Sequence, residues 1–249
     1  MRLAACMLLL AAQVALGQES RLQFNQANQL YRDAQYEKAA PIYEQVVNNG
    51  YESASLYYNL GNCYFKLHNI PAAILAYERA RRIAPHDDDI SYNLRLANLR
   101  VVDKIEPVPQ LFLIDWWNGF IGLYSSDGWA MAVIVCAWCT AMGGMVFFLF
   151  RSGGVRRVAF AFTSVSVICC ILSVTGLVQQ TKKEGSDRSA IVFSPSVPVK
   201  SAPDNQSTDL FVLHEGVKVD LLDAVGEWKK IRLADGKIGW LTGESIQAI

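Results

Sequence analysis

Two long apolar runs without a charge, residues 129–150 and 158–178, constrain the fold of this chain more than any other feature. At about 1.5 Å of rise per residue, a helix over either run reaches roughly 32 Å, enough for a hydrocarbon core of about 30 Å. Two buried core helices are the alternative, but the short connector between the runs favours a hairpin of transmembrane helices. The chain is therefore expected to be a membrane protein.

The charges around these runs predict the orientation of the hairpin. The connector, 151–157, carries three arginines and no acidic residue, and such loops stay in the cytoplasm. Residues 1–17 have the pattern of a signal peptide, with Arg2 before an apolar stretch and the small residues Ala15 and Gly17 at its end. A leader exports the segment behind it, and two spans return the chain to the same side. We therefore expect a membrane protein, in contact with lipid, with both soluble regions facing outward and only the connector in the cytoplasm.

The charge balance and the histidines argue against several functions. The chain has 23 basic and 23 acidic residues, whereas a nucleic-acid binder usually carries a basic excess. Its three histidines lie far apart in sequence and no pair has the spacing of metal ligands, so no metal site is expected. No nucleophile with a partnering base is evident. We therefore expect neither catalysis nor a bound cofactor.

Residues 18–104 repeat themselves with a period of 34 residues. Tyr43 recurs as Tyr77 and Ala39 as Ala73, along with several further pairs at the same offset. Tetratricopeptide repeats have this pattern, in which small residues let two helices come close together and aromatic residues fill the space between them. A generic pair of helical hairpins is the alternative, and one constant period argues against it. The spacing predicts two repeats followed by a capping helix over 90–102.

An aromatic residue, an amide and a cation also recur at this period on the first helix of each repeat. In tetratricopeptide proteins these helices line the concave face, where amides bond a peptide backbone and cations attract a carboxylate. The residues expected to line this groove are Phe24, Asn28, Arg32, Tyr58, Asn62, Lys66, Tyr92 and Arg100. The pattern predicts binding of an extended peptide with an acidic element. The alternative is that the positions match by descent and that the asparagines pack helices together.

Residues 105–128 differ in composition from the regions on either side. Two prolines near the start rule out regular helix there, because proline removes a backbone donor and fixes φ. Closely spaced aromatic residues come next, and such a segment beside a span is typical of an interfacial belt or a short helix lying in the headgroup plane. The segment is expected to bridge the helical repeats and the membrane.

The region after the second run begins with a polar linker, 179–188, and continues as a β-rich module, 189–249. Short runs alternate apolar and polar residues, and Asp235-Gly236 between two of them indicates a hairpin. The order resembles a bacterial SH3 domain, in which Trp240 is more often a core residue than a ligand platform. That resemblance implies a protein ligand or a cell-wall ligand such as peptidoglycan.

Four cysteines lie within the apolar runs. Cys136 and Cys139 have the spacing of a redox dithiol, and Cys169-Cys170 lies in the second run. A redox thiol needs an accessible, electropositive setting, which the middle of an apolar helix does not offer. Small side chains also pack well between spans. Packing is the favoured interpretation, and a membrane thiol-redox role is the alternative.

The order of these parts resembles the BatE proteins of Bacteroides-type aerotolerance operons. The junction carries the resemblance, in Tyr92-Asn-Leu, in the run 102–109 and in Trp116-Trp117. It implies an inner-membrane protein that works beside other Bat proteins, some bearing von Willebrand A domains, in oxygen or stress tolerance. It carries over no catalytic residue.

The expected architecture is a multi-domain membrane protein with helical hairpins, a two-helix transmembrane hairpin and a C-terminal all-β SH3-like barrel. The leading hypothesis for its function is a non-enzymatic scaffold that holds partner proteins in the periplasm. The alternatives are a cell-wall-binding envelope sensor, in which the β-module binds peptidoglycan, and a membrane thiol-redox protein.

Overall fold

The computed structural model describes residues 18–109, 111–186 and 188–249, so the predicted leader, 1–17, lies outside the described residues. The chain divides into two compact units. The first contains the described residues up to Val108, here called the helical domain, together with Arg188–Ile249, here called the β-domain. The second is Pro109–Asp187. Both regions predicted to be soluble therefore belong to one unit.

The helical domain consists of short helices joined by tight turns. Its helices are α1 (18–32), α2 (Tyr36–Asn48), α3 (Ala54–Lys66), α4 (Ile70–Ile83) and α5 (Asp88–Asn98). The side chains of Ser53, Asn69 and Asp87 accept bonds from backbone N–H groups at the starts of α3, α4 and α5. Ala34 and His68, one period apart, both have positive φ in the turns that end α1 and α3. The repeat therefore extends to the turn geometry.

The helices α1 to α4 pack as two hairpins, and α5 covers the second. Small residues allow the close approach: a Cβ added at Gly61 would lie 2.6 Å from Cε1 of Tyr77, so α3 and α4 could not keep this spacing with a larger residue. One core cluster joins the two hairpins and contains the fully buried Ala39 and Tyr43 of α2 and Cys63 of α3. The predicted helical-repeat fold is confirmed.

The capping helix ends earlier than the sequence pattern predicts. The pattern extends to residue 102, but α5 ends at Asn98 and the next residues form turns. After Asn98 the backbone forms tighter turns, in which the N–H groups of Arg100 and Val101 donate to residues three positions earlier. The ammonium group of Lys104 caps this end, donating to the carbonyl oxygens of Asn98, Leu99 and Val101 at 3.3, 3.0 and 2.8 Å.

The β-domain is an antiparallel sheet. Its strands are β1 (Ser189–Val192), β2 (Ser196–Lys200), β3 (Asp209–His214), β4 (Lys218–Val225), β5 (Trp228–Arg232), β6 (Ile238–Thr242) and β7 (Ile246–Ala248). Their order in the sheet is β3-β2-β6-β5-β4-β1-β7. Gly236, with φ of 88°, lies in the turn that the sequence indicated, and Gly216, with φ of 87°, lies in the turn between β3 and β4. The predicted all-β, SH3-like architecture is confirmed.

The helical domain and the β-domain share one apolar core. Ile74 of α4 and Val101 meet the turn at Gly216, where an added Cβ would lie 2.9 Å from Cγ2 of Val101. Beside this contact, the nearly buried carboxylate of Glu78 lies 2.6 Å from Arg81 and 3.1 Å from Lys218 of the β-domain. The two predicted modules are therefore packed together, which the sequence patterns did not indicate.

Polar contacts extend the interface along both edges of the β-domain. Arg79 of α4 donates at 2.9 Å to the carbonyl oxygen of Ala248, and Arg82 of α4 donates at 2.9 Å to a backbone carboxylate oxygen of Ile249. At β3, the backbone N–H of His214 donates to Asp103 at 2.7 Å. Edge strands expose unpaired backbone groups, and these side chains satisfy some of them.

The second unit contains α6 (Phe112–Ile121), α7 (Ser126–Leu149) and α8 (Gly153–Ser186). Windows in α7 and α8 have mean hydropathies of 2.1 and 2.2, and both helices are long and apolar enough to cross a membrane. Only 6% and 17% of these windows are buried, unlike the core helices of a soluble protein. α8 also runs through most of the segment predicted as a linker, 179–188, which contains good helix formers and no proline.

Small and polar residues join α7 to α8. A Cβ at Gly143 would lie 2.4 Å from Oγ1 of Thr163, and the Thr140 hydroxyl donates to Ser166 at 3.0 Å. α6 is the short helix expected in the aromatic bridge. It is joined to the hairpin through Trp129, whose ring nitrogen donates to the carbonyl oxygen of Ile121 at 2.9 Å.

Candidate functional site

The three cations of the predicted groove lie at or beyond helix ends. Arg32 and Lys66 are the last residues of α1 and α3, whereas Arg100 lies two residues after the end of α5. All three are exposed. A cation at the C-terminus of a helix also stabilises that helix through the partial negative charge there. These cations can therefore stabilise helix ends as well as bind a ligand.

The two predicted amides take part in matching hydrogen-bond networks. Oδ1 of Asn28 accepts from the Tyr43 hydroxyl at 2.6 Å and from Asn59 at 2.9 Å. Oδ1 of Asn62 accepts from the Tyr77 hydroxyl at 2.7 Å and from Asn93 at 2.8 Å. Each network joins both helices of one repeat to the first helix of the next. The carbonyl oxygen of each amide thus holds neighbouring helices together by hydrogen bonds. The NH₂ group of the same amide is not used in these bonds and can donate to a ligand.

The residues that complete these networks were not among the expected site residues. They are the hydrogen-bond partners of Asn28 and Asn62, namely Tyr43, Asn59, Tyr77 and Asn93. Their recurrence at the same 34-residue offset was the signal that could have identified them.

Burial keeps the two tyrosine donors protonated. It raises the pKa of the Tyr43 and Tyr77 hydroxyls above their ordinary value, with neighbouring groups adding smaller effects. A protonated hydroxyl is a donor, as the bonds to Asn28 and Asn62 require. The networks are therefore intact at any physiological pH.

The aromatic residues of the predicted groove differ in exposure. Phe24 and Tyr58 are half-buried and pack against the buried tyrosines of their repeats, with ring centroids 5.9 and 6.1 Å apart. Tyr92 is 55% exposed and has the guanidinium of Arg95 5.9 Å from its ring centre. Tyr92 and the three exposed cations are thus the most accessible of the predicted residues.

In the β-domain, Trp240 lies on the outer face of the sheet. Its neighbours in β6, Gly239 and Leu241, are buried, while Trp240 is half-buried. It lies opposite Lys200 and Lys230 on the flanking strands, and the Lys230 ammonium is 5.8 Å from its ring centre. From the sequence, a core position was favoured for Trp240 over a position on a ligand surface. Its position on the outer face of the sheet favours the ligand surface instead.

The four cysteines of α7 and α8 are free thiols. Cys136 and Cys139 are partly buried on α7, and Cys169 of α8 is exposed. The carbonyl oxygen of Cys136 accepts from the Ser166 hydroxyl at 2.9 Å, at the contact between the two helices. Packing as their role stays a prediction. In the part of the chain that the structure describes, no group of three His, Cys, Asp or Glu side chains could hold a metal ion.

Comparison with known protein families identifies two modules. The family model of the tetratricopeptide repeat matches residues 24–88, and that of the bacterial SH3 domain matches residues 195–247. No curated protein matches the chain. The chain therefore contains tetratricopeptide repeats and a bacterial SH3 domain, with two apolar helices between them in sequence. Both modules are of the kind that mediates binding.

Proposed function

We propose that the chain is a membrane-anchored periplasmic scaffold that holds partner proteins within a Bat-type aerotolerance complex. The observation that supports this best is the single compact unit built from tetratricopeptide repeats and a bacterial SH3 domain. Two binding modules fixed against each other present a rigid surface to partners, and the apolar helices α7 and α8 would anchor it. The order of parts resembles BatE, and other Bat membrane proteins are the proposed partners.

The proposed orientation puts both modules outside the cytoplasm. Because they form one unit, they must lie on the same side of any membrane that α7 and α8 both cross. The arginine connector 151–157 would remain inside. Protease added to spheroplasts should therefore cut the helical domain and the β-domain while sparing the hairpin. A C-terminal tag that stays protected in intact spheroplasts would contradict this orientation.

The proposed partner segment is an extended acidic peptide in the concave groove. Arg32, Lys66 and Arg100 are exposed and would attract it, with the NH₂ groups of Asn28 and Asn62 bonding its backbone. Each exposed ion pair contributes only about 0.2–1 kcal/mol, so one substitution should weaken binding a few-fold at most.

The test is the affinity of the full-length protein for a partner captured by crosslinking in native membranes. Replacing all three cations by alanine should weaken binding, and the loss should shrink as salt rises, because salt already screens the attraction in the parent. Lys38→Ala, which removes an exposed cation outside the predicted set, is the control. Equal affinity of the triple variant and the parent at low salt would exclude the groove.

A second candidate function is cell-wall binding through the β-domain. The outward position of Trp240, between two lysines on neighbouring strands, favours it, because an aromatic ring and a cation suit an anionic glycan or peptide. Co-sedimentation of the full-length protein with isolated peptidoglycan should then fall in Trp240→Ala. Failure of the parent to co-sediment would leave the scaffold as the sole proposal.

A further inference from the structure

The first unit contains a cavity of about 460 Å³ on the side of α3 opposite the predicted groove. Its α3 residues are Tyr57, Leu60 and Tyr64. At about 100° per residue, these project roughly opposite to the groove residues of the same helix. α2 and α4 form the walls, where Ala72 and Ala76 leave the space open. The cavity is thus a second concave site, on the other face of the repeats.

The cavity is completed by the β-domain. Phe193, the residue after β1, and Gln247 of the edge strand β7 both line it. The helical domain provides the remaining lining residues, so the complete cavity exists only while the two domains are packed together. Its volume lies within the range of about 300–1,000 Å³ that is typical of small-ligand sites. A group of a few residues fits, whereas a folded domain does not.

One cation is fixed in the wall of this cavity. The guanidinium of Arg79 donates to the carbonyl oxygen of Ala248 at 2.9 Å and lies 5.9 Å from the ring centre of Tyr57. A guanidinium has five N–H donors in a planar fork, and one bond to a carbonyl leaves others for a ligand. Such a group binds carboxylates better than any other side chain. Beside it, Leu60, Leu75 and Phe193 offer apolar surface.

We propose that this cavity binds the C-terminal residue of a partner peptide, with the terminal carboxylate on Arg79 and an apolar side chain against Leu60, Leu75 and Phe193. The acid on the other wall, Glu44, accepts a bond from the Tyr64 hydroxyl, which keeps that carboxylate engaged within the protein. The site is separate from the concave groove of the proposed function. Because both domains line it, an occupied cavity stabilises their packing.

The experiment uses the full-length protein in amphipol and N-acetyl-leucine as the probe, with binding measured by saturation-transfer NMR. Binding should be saturable and in the millimolar range, because the probe is small. N-acetyl-leucinamide, which lacks the carboxylate, should bind at least tenfold more weakly. N-acetyl-aspartyl-leucinamide, which carries its carboxylate on a side chain, should also bind at least fivefold more weakly than N-acetyl-leucine.

Two arginines of α4 form a matched pair for this test. Arg79→Gln should weaken N-acetyl-leucine binding at least tenfold. Arg82→Gln removes a charge-assisted bond to the β-domain, that to Ile249, but Arg82 does not line the cavity, and binding should stay within twofold of the parent. Ala72→Val, which narrows the wall without changing a charge, should also weaken binding. Lys38→Ala, which removes an exposed cation outside both the cavity and the groove, should leave N-acetyl-leucine binding unchanged.

Several results would overturn the proposal. If Arg82→Gln loses as much affinity as Arg79→Gln, the loss reflects separation of the domains and not a carboxylate site. Equal binding of the acid and the amide probes would exclude recognition of a carboxylate. If N-acetyl-aspartyl-leucinamide binds as tightly as N-acetyl-leucine, the site does not recognise a terminal carboxylate specifically. Absence of saturable binding by the parent would exclude the site, and none of these results bears on the groove.

Discussion

Asn62 shows how a single amide ties three helices together. It lies on α3, and its Oδ1 accepts from Tyr77 on α4 and from Asn93 on α5. Removing an acceptor that serves two partly buried donors costs more than removing a surface contact, because both donors lose a partner. The residue therefore stabilises the repeats whether or not a peptide binds beside it.

Asn62→Ala should lower the free energy of unfolding by about 1–3 kcal/mol. Lys66→Ala, one turn along the same helix and exposed, should change it by less than about 0.5 kcal/mol. Urea titration of the helical circular dichroism signal in detergent would measure both. If Asn62→Ala unfolds like the parent and yet loses peptide affinity, the amide serves the ligand and not the packing.

Cys63 is a buried thiol whose ionisation is suppressed. Burial raises its pKa from 9.0 to about 12. The folded state then keeps a proton that the unfolded chain releases near pH 9. This residue therefore contributes stability that is fully present below pH 9 and is lost as the pH rises toward 12.

Alkylation measures that shift directly. At pH 8 the thiolate fraction of Cys63 in the folded protein should be roughly 1,000-fold below that in the unfolded chain, from the difference in pKa. Iodoacetamide should therefore label Cys63 in urea at pH 8 but hardly at all in native protein. The slow labelling rate of the native protein should rise about tenfold per pH unit above pH 8. Mass spectrometry of the peptide containing Cys63 separates it from the other thiols. Equal labelling of native and unfolded protein at pH 8 would contradict the burial.

Adjacent glycines on α7 make a test of the membrane hairpin. A Cβ at Gly143 would lie 2.4 Å from Oγ1 of Thr163 and 2.9 Å from Cδ1 of Phe162, whereas a Cβ at Gly144 would meet nothing within 4 Å. Gly143→Ala should therefore force α7 and α8 apart at a cost of about 1–3 kcal/mol. Gly144→Ala should be neutral or slightly stabilising. The thermal transition of the detergent-solubilised protein would distinguish them, and equal transitions would mean that the helices do not pack through Gly143.

Local patterns predicted most of the elements. The 34-residue period identified the helical repeats, and the length of the apolar runs identified α7 and α8. The end of α5 was missed, because the apolar spacing continues through residues that the backbone turns and the amine of Lys104 hold outside the helix.

In the predicted groove, the sequence showed the residue types but not their hydrogen-bond partners. The period equally suits an amide facing a ligand and one facing the next repeat, and the distances at Asn28 and Asn62 assign their oxygens to packing.

The packing of the helical domain on the β-domain could not be read from local patterns. Alternation along a strand indicates which side chains are buried but not which element covers them. In the structure, β1 (Ser189–Val192) is buried at every position and not at alternate ones. A strand buried on both faces needs a cover on each. Here α4 provides it, with Ile74 and Ile191 in one core.

The shared core leads to a prediction about how the protein can be cut. The backbone N–H of Val108 donates to Ala234 at 3.2 Å, and the carbonyl oxygen of Arg188 accepts from Leu221 at 2.7 Å. Leu221 pairs with Ile231, three residues before Ala234, so the ends of the two segments, Val108 and Arg188, lie within about 25 Å of each other. A linker of about 20 Gly and Ser residues spans that distance.

A fusion of residues 18–108 to residues 188–249 through such a linker should be soluble and should unfold in one cooperative transition. Residues 18–108 alone should unfold at a lower temperature, because Ile74 and Val101 then lose their cover. Within the fusion, Ile74→Ala should destabilise by about 2–5 kcal/mol, while Ile83→Ala, on the same helix but 46% exposed, should have little effect. Calorimetry would measure all four proteins. Suppose that residues 18–108 alone have the same transition temperature as the fusion, and that the Ile74→Ala and Ile83→Ala variants also share one transition temperature. The two modules are then independent, and any rigid binding surface must lie within one of them.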